Sequence, residues 1–209
     1  MKKIIICALI MAISVAAPVV VMAESVTQIN MEVQPSEQNI EQIIDEITSE
    51  PHPINSDAIQ NVKEYIIRYF GNLGYDEIEC QKFEYNDENN ENAIRRSSQV
   101  DIFLSPTAEN AAIDGTGENI IVTKKLSTDI TENLIISAHY DSAEDSVGAN
   151  DNGSGMAAVL ELARILKDTE MPYNMKFILF SGEEKYMLGS RWYVGNLTED
   201  ERKQIIGVI

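Results

Sequence analysis

The sequence predicts an α/β domain: a mixed, mostly parallel sheet with helices on both faces. Three observations carry this. Two apolar runs of strand length, at 134–136 and 174–180, each end in small or polar residues that carry acidic groups and, in one case, a histidine. Several other segments repeat apolar residues at helical spacing. Strand-like and helix-like segments alternate from residue 134 onward, the order expected of strands linked by crossover helices.

Taken in order, the chain opens with Met1, Lys2 and Lys3 before an apolar run at 4–22. Small or modest residues at Val21, Met22 and Ala23 complete the pattern of a secretory signal peptide, 1–23, with cleavage expected after Ala23. The run is long enough to act as an anchor if it is retained. Cys7 lies at its start, not where a lipoprotein cysteine would be. Residues 24–35 lack periodicity and form a lead-in. The domain then runs over 36–209. Ser36 caps a helix with the apolar stripe Ile40, Ile43, Ile44 and Ile47, ended by the Pro-flanked His52, which is assigned a surface role. Ser56 or Asp57 starts a second helix with Ile59, Val62, Tyr65, Ile66, Tyr69, Phe70 and Leu73 on its stripe, and Gly71 and Gly74 stop it.

A strand follows near 78–85, with Cys80 read as a small buried hydrophobe and not a nucleophile. The acidic stretch 86–92 is a solvated loop, 99–104 a further strand candidate, and 108–118 a loop holding Gly115 and Gly117. Residues 120–122 form a strand that belongs, with those at 134 and 177, to the centre of the sheet. Helices are expected over 153–167 and 187–194. Thr198 and Glu201 form a capping box before the apolar terminal run 205–209.

Composition narrows the function. The net charge is −18 and becomes two units more negative once Lys2 and Lys3 leave with the signal. So acidic a chain has no attraction for nucleic acid or anionic membranes. Cys80 would then be the one remaining cysteine, so no internal disulfide forms.

The chemistry concentrates in two stretches. Residues 134–155 read LIISAHYDSAEDSVGANDNGSG, a strand, a polar loop and a helix start. Ligands of open α/β sheets bind at the carboxyl ends of strands. His139 and Asp141 are two apart and face one side of a strand end, which suits a metal-ligating imidazole steadied by a carboxylate. Asp151, twelve residues on, could bridge two metal ions. The second stretch, 174–184, ends its strand in Ser181, Gly182, Glu183 and Glu184. One glutamate can bind metal while its neighbour acts as general base. Taken alone, the first stretch is an ordinary strand end with a turn and a helix cap, and the adjacent glutamates are an ordinary solvated surface pair.

Together, SAHYDS, GANDNGSG and FILFSGEEKYMLGS resemble the three metal-site motifs of the M28 zinc aminopeptidases, in the family's order and at comparable spacing. The resemblance covers roughly residues 36–209 and is specific from about 117 onward. It implies a zinc-peptidase fold and a co-catalytic pair of zinc ions. His139 would bind one zinc, Asp151 would bridge both, and Glu184 would bind the second. Glu183 would be the general base for a metal-activated water, and Asp141 would orient His139. The substrates implied are peptides with a free N-terminus.

The family also needs an Asp on the next strand and a later His, and neither is present by Ile209. The expectation is therefore a C-terminally truncated member, with an incomplete sheet, one ligand short at each zinc, and little or no activity on its own. Two other readings stand beside the aminopeptidase. One is a glutaminyl cyclase-like acyltransferase, which shares the scaffold but uses one zinc and lacks the Asp-Asn-Gly-Ser-Gly run seen at 151–155. The other is a non-catalytic, vestigial or binding protein.

Overall fold

The structure is a computed structural model describing residues 33–86, 113–127 and 129–209. The signal peptide, most of the lead-in, nearly all of the acidic loop and the strand candidate at 99–104 lie outside the described residues.

Two helices come first, α1 (Glu37–Ile47) and α2 (Asp57–Leu73), followed by strands β1 (Ile78–Tyr85), β2 (Gly115–Lys124) and β3 (Asn133–His139). A π-type turn at Ala149–Gly153 leads into α3 (Ser154–Leu166). Strand β4 (Asn174–Phe180), helices α4 (Leu188–Asn196) and α5 (Glu199–Gln204), and strand β5 (Ile205–Val208) complete the chain. The caps form as the sequence expects. Ser36 Oγ accepts the Asn39 N–H, Ser56 Oγ accepts the Ile59 N–H, and Thr198 and Glu201 make both halves of their capping box. Gly74 ends α2 in the left-handed conformation at φ 84°, where a side chain would be strained.

The strand order is β1-β2-β4-β3-β5. β1 pairs with β2 and β2 with β4 in antiparallel fashion, while β3 is parallel to both β4 and β5. The mixed α/β sheet is as expected, and β2, β4 and β3 do form its centre, but parallel pairs make up half of the pairings and not most. Alternation along each strand sends one set of side chains to each face. Val122, Phe177 and Ile136 are neighbours across three strands and face α1, α2 and α3. Ile121, Ile135 and Ile178 face α4 through Tyr193 and Val194. Phe177 sits against Phe70 and Tyr75, with ring centroids 5.8 and 5.7 Å apart. A fully buried side chain of this size contributes roughly 1.5–3 kcal/mol through burial alone.

Helix α1 is tied to α3 by a buried carboxylate. Glu161 accepts the Ser36 N–H at 2.7 Å and the Asn39 side-chain amide, and it pairs with Arg164.

Three sequence expectations are corrected. Gly115 and Gly117 belong to β2, not to a loop: the Tyr85 and Phe83 rings of β1 lie across them, and a Cβ at either position would collide with those rings. Cys80 is exposed, because it lies on the edge strand β1; partial burial followed by Glu118 raises its thiol pKa, so it remains a poor nucleophile. His52 is buried. Its Nδ1 lies 2.9 Å from the Glu50 carbonyl, and its backbone N–H donates to Ser142 Oγ at 2.8 Å.

Candidate metal centre

The parallel register places His139 opposite Phe180. Strands β3 and β4 therefore end side by side, and the loops that follow them emerge at one edge of the sheet. The first loop carries Asp141 and reaches Asp151; the second carries Glu183 and Glu184. Residues 12 and 44 positions beyond His139 are brought together in this way.

His139 is buried, and both ring nitrogens are engaged. Nδ1 lies 3.0 Å from the backbone carbonyl of Asp141 and 3.5 Å from its carboxylate. Nε2 lies 3.1 Å from Asp151 Oδ1 and 3.7 Å from Glu183 Oε2. Burial alone would lower the imidazole pKa, but hydrogen bonding and charge from Asp141, followed by Glu183 and Asp151, outweigh it and raise the pKa to about 9. The Asp141 carboxylate spans the two loops: Oδ1 accepts the Glu183 N–H at 3.0 Å and Oδ2 the Glu184 N–H at 3.1 Å. Asp141 thus steadies His139 mainly with its backbone carbonyl, and uses its side chain to fix the backbone of both glutamates.

Among the described residues, ligand atoms of His139, Glu183 and Glu184 lie within 4.8 Å of one another. An imidazole nitrogen with two carboxylate oxygens is a donor set that suits zinc. Asp151 touches His139 but lies outside this mutually close trio, and its side chain is 76 % exposed. Its charge still reaches Glu184, whose pKa is raised first by burial and then by Asp151. Gly148, at φ 66°, opens the turn that presents Asp151, and the Asp151–Asn152 peptide is cis.

Sequence reasoning passed over Asn119. This side chain is fully buried on β2. Its amide donates to the Gly189 carbonyl at 2.9 Å and to Gln81 at 3.0 Å, and its oxygen accepts the Ser181 N–H at 3.2 Å. It therefore closes the neck of the loop that carries Glu183 and Glu184. The available signal was a polar residue opening the apolar run of a central strand, where an unpaired amide would be costly.

The chain has known relatives. The model of peptidase family M28 matches residues 119–209. The chain is similar to aminopeptidase YwaD of Bacillus subtilis, 44 % identical over 90 residues, covering 43 % of this chain and 20 % of that one. It is also similar to a vacuolar membrane protease of Schizosaccharomyces japonicus, 32 % identical over 148 residues, covering 71 % of this chain and 16 % of that one. The chain thus spans a fifth or less of the length of these two curated relatives. In fold it resembles BSAP, a zinc aminopeptidase from Bacillus subtilis, with a TM-score of 0.66 at 19 % identity, covering 83 % of this chain and 68 % of that one. A glutaminyl cyclase from Porphyromonas gingivalis gives 0.60 at 17 % identity, covering 78 % of this chain and 54 % of that one.

Proposed function

Residues 119–209 belong to peptidase family M28, and from that premise we propose that the protein is a secreted, zinc-dependent aminopeptidase that removes N-terminal residues from peptides. The observation that carries the reading is the convergence of His139, Glu183 and Glu184 at the shared carboxyl edge of β3 and β4, with Asp151 against the imidazole. Export rests on the signal pattern at 1–23.

His139, Asp151 and Glu184 would hold the zinc, with Asp151 placed against the imidazole and Glu184 beside it. When bound, zinc supplies a Lewis acid and a water whose pKa falls to about 7. Glu183, whose Oε2 lies 3.7 Å from the His139 ring, would serve as the general base, accepting the proton of the attacking water and returning it to the departing amine. Its backbone N–H is held by Asp141, so the carboxylate approaches from a fixed origin.

The test separates the adjacent glutamates. Glu183→Gln is expected to keep zinc while losing roughly 10²–10⁴-fold in rate, the size of a general-base contribution. Glu184→Gln is expected to lose metal. Zinc content and hydrolysis of an aminoacyl-p-nitroanilide are measured for the wild-type protein and for both variants. Zinc release by Glu183→Gln, with retention by Glu184→Gln, would exchange the two roles.

A further inference from the structure

The connector between α1 and α2, residues 48–55, touches every loop that carries a candidate ligand. His52 donates its backbone N–H to Ser142 Oγ at 2.8 Å and accepts the Ser142 N–H at 3.3 Å, directly beside Asp141. Thr48 Cγ2 packs so tightly on the turn that presents Asp151 that a Cβ on Gly153 would lie 2.9 Å from it. Ile54 Cδ1 would lie 2.8 Å from a Cβ on Gly182, the residue before Glu183. The connector is itself anchored at both ends: Thr48 Oγ1 donates to the Ile44 carbonyl at 2.7 Å, and the Asn55 amide donates to Tyr85.

We infer that this connector is a brace for the metal centre, with Thr48, His52 and Ile54 acting as positioning residues for Asp151, Asp141 and the Glu183–Glu184 pair respectively. The inference rests on the metal-centre reading above. Its physical basis is that ligands on three separate loops keep their spacing only if the loops share a rigid neighbour. Loops 90 and more residues away in sequence meet on the eight-residue connector. Its three contacts are of different kinds, a reciprocal hydrogen bond and two close methyl packings. Each can therefore be removed by a small change. Ser142→Ala deletes the acceptor of the His52 N–H. Thr48→Ser removes only the methyl over Gly153 and keeps the hydroxyl that bonds Ile44. Ile54→Val removes only the carbon over Gly182.

The test compares these three variants with Ile66→Val, an equivalent trimming of a fully buried α2 side chain. Two quantities are read under conditions where all four are folded: amide hydrogen exchange at Gly153, Glu183 and Glu184, and zinc affinity by competition with a chelator. Thr48→Ser is expected to speed exchange of the Gly153 amide, which bonds the Gly148 carbonyl at 2.7 Å, and Ser142→Ala and Ile54→Val to speed that of the Glu183 and Glu184 amides, each several-fold, with the triple variant binding zinc about tenfold more weakly. Ile66→Val should change neither, and Ser142→Thr should restore the Ser142→Ala loss. If Ser142→Ala does not fold, Thr48→Ser and Ile54→Val carry the comparison. Unchanged exchange in the brace variants, or an equal change in Ile66→Val, overturns the brace. A wild-type chain that takes up no zinc overturns the metal reading instead, and the exchange comparison still decides the brace.

Discussion

Asp141 is 2 % exposed, and its carboxylate accepts the amides of both Glu183 and Glu184. Hydrogen bonds to a buried charged acceptor are among the stronger ones, worth about 1.5–3 kcal/mol each, and removing the acceptor strands two donors. Asp141→Asn presents an amide group to one of those N–H donors. It is expected to weaken zinc binding roughly 10–100-fold and to loosen both glutamate amides. Chelator competition together with amide exchange checks this, and unchanged values would leave Asp141 as a turn residue. The His139 pKa of about 9 sets a second prediction. The metal-free imidazole holds its proton at neutral pH and must release it to bind zinc. Zinc affinity should therefore rise with pH until about 9 and flatten above it, with about one proton released at pH 7. In the metal-free chain the sign for stability is opposite. A raised pKa contributes stability that is present below the ordinary value near 6.5 and is lost as pH rises through about 9. Calorimetry in two buffers of different ionisation enthalpy counts the proton; none released at pH 7 would contradict the charged imidazole.

The α1–α3 contact depends on Glu161. Burial would raise its carboxyl pKa, but hydrogen bonds from Arg164, the Ser36 N–H and Asn39 outweigh it and leave the pKa below the ordinary value. A depressed carboxyl pKa stabilises the fold above the unfolded value and loses that contribution as pH falls through the folded one. Glu161→Gln is expected to cost roughly 2–4 kcal/mol near neutral pH, because Arg164 and the α1 cap lose their shared charged partner. The gap to wild type should narrow below pH about 4. Urea unfolding at both pH values checks this, and a gap independent of pH would mean that Glu161 acts through packing alone. At the other element boundaries the caps at Ser36, Ser56 and Thr198 were legible because they involve residues three apart. The edges of β2 were not. Gly115 and Gly117 look like turn residues until the rings of β1 are laid over them.

For the whole molecule, a net charge of −18 sets carboxylate against carboxylate over a compact surface. Added salt is therefore expected to raise the melting temperature between about 20 and 200 mM sodium chloride, as screening shortens the range of repulsion. A melting temperature that falls over this range would show that attractive ion pairs dominate instead. The helices, their caps and the strands β1, β3, β4 and β5 were legible in the sequence, because apolar period and cap residues are local signals. The residues His139, Asp141, Asp151, Glu183 and Glu184 were legible as types and spacings at strand ends. Strand order was not, nor was the antiparallel β2–β4 pairing, because pairing partners lie far apart in sequence and are chosen by packing on two faces at once. The burial of His52 and the grip of Asn119 on Ser181 and Gly189 were hidden for the same reason. The sequence alone determined which residues are candidates for the chemistry. Only the tertiary structure decided that Asp141 binds two backbone amides and that Thr48, His52 and Ile54 meet three loops, since those contacts exist only once β3 and β4 lie side by side beneath α1 and α2.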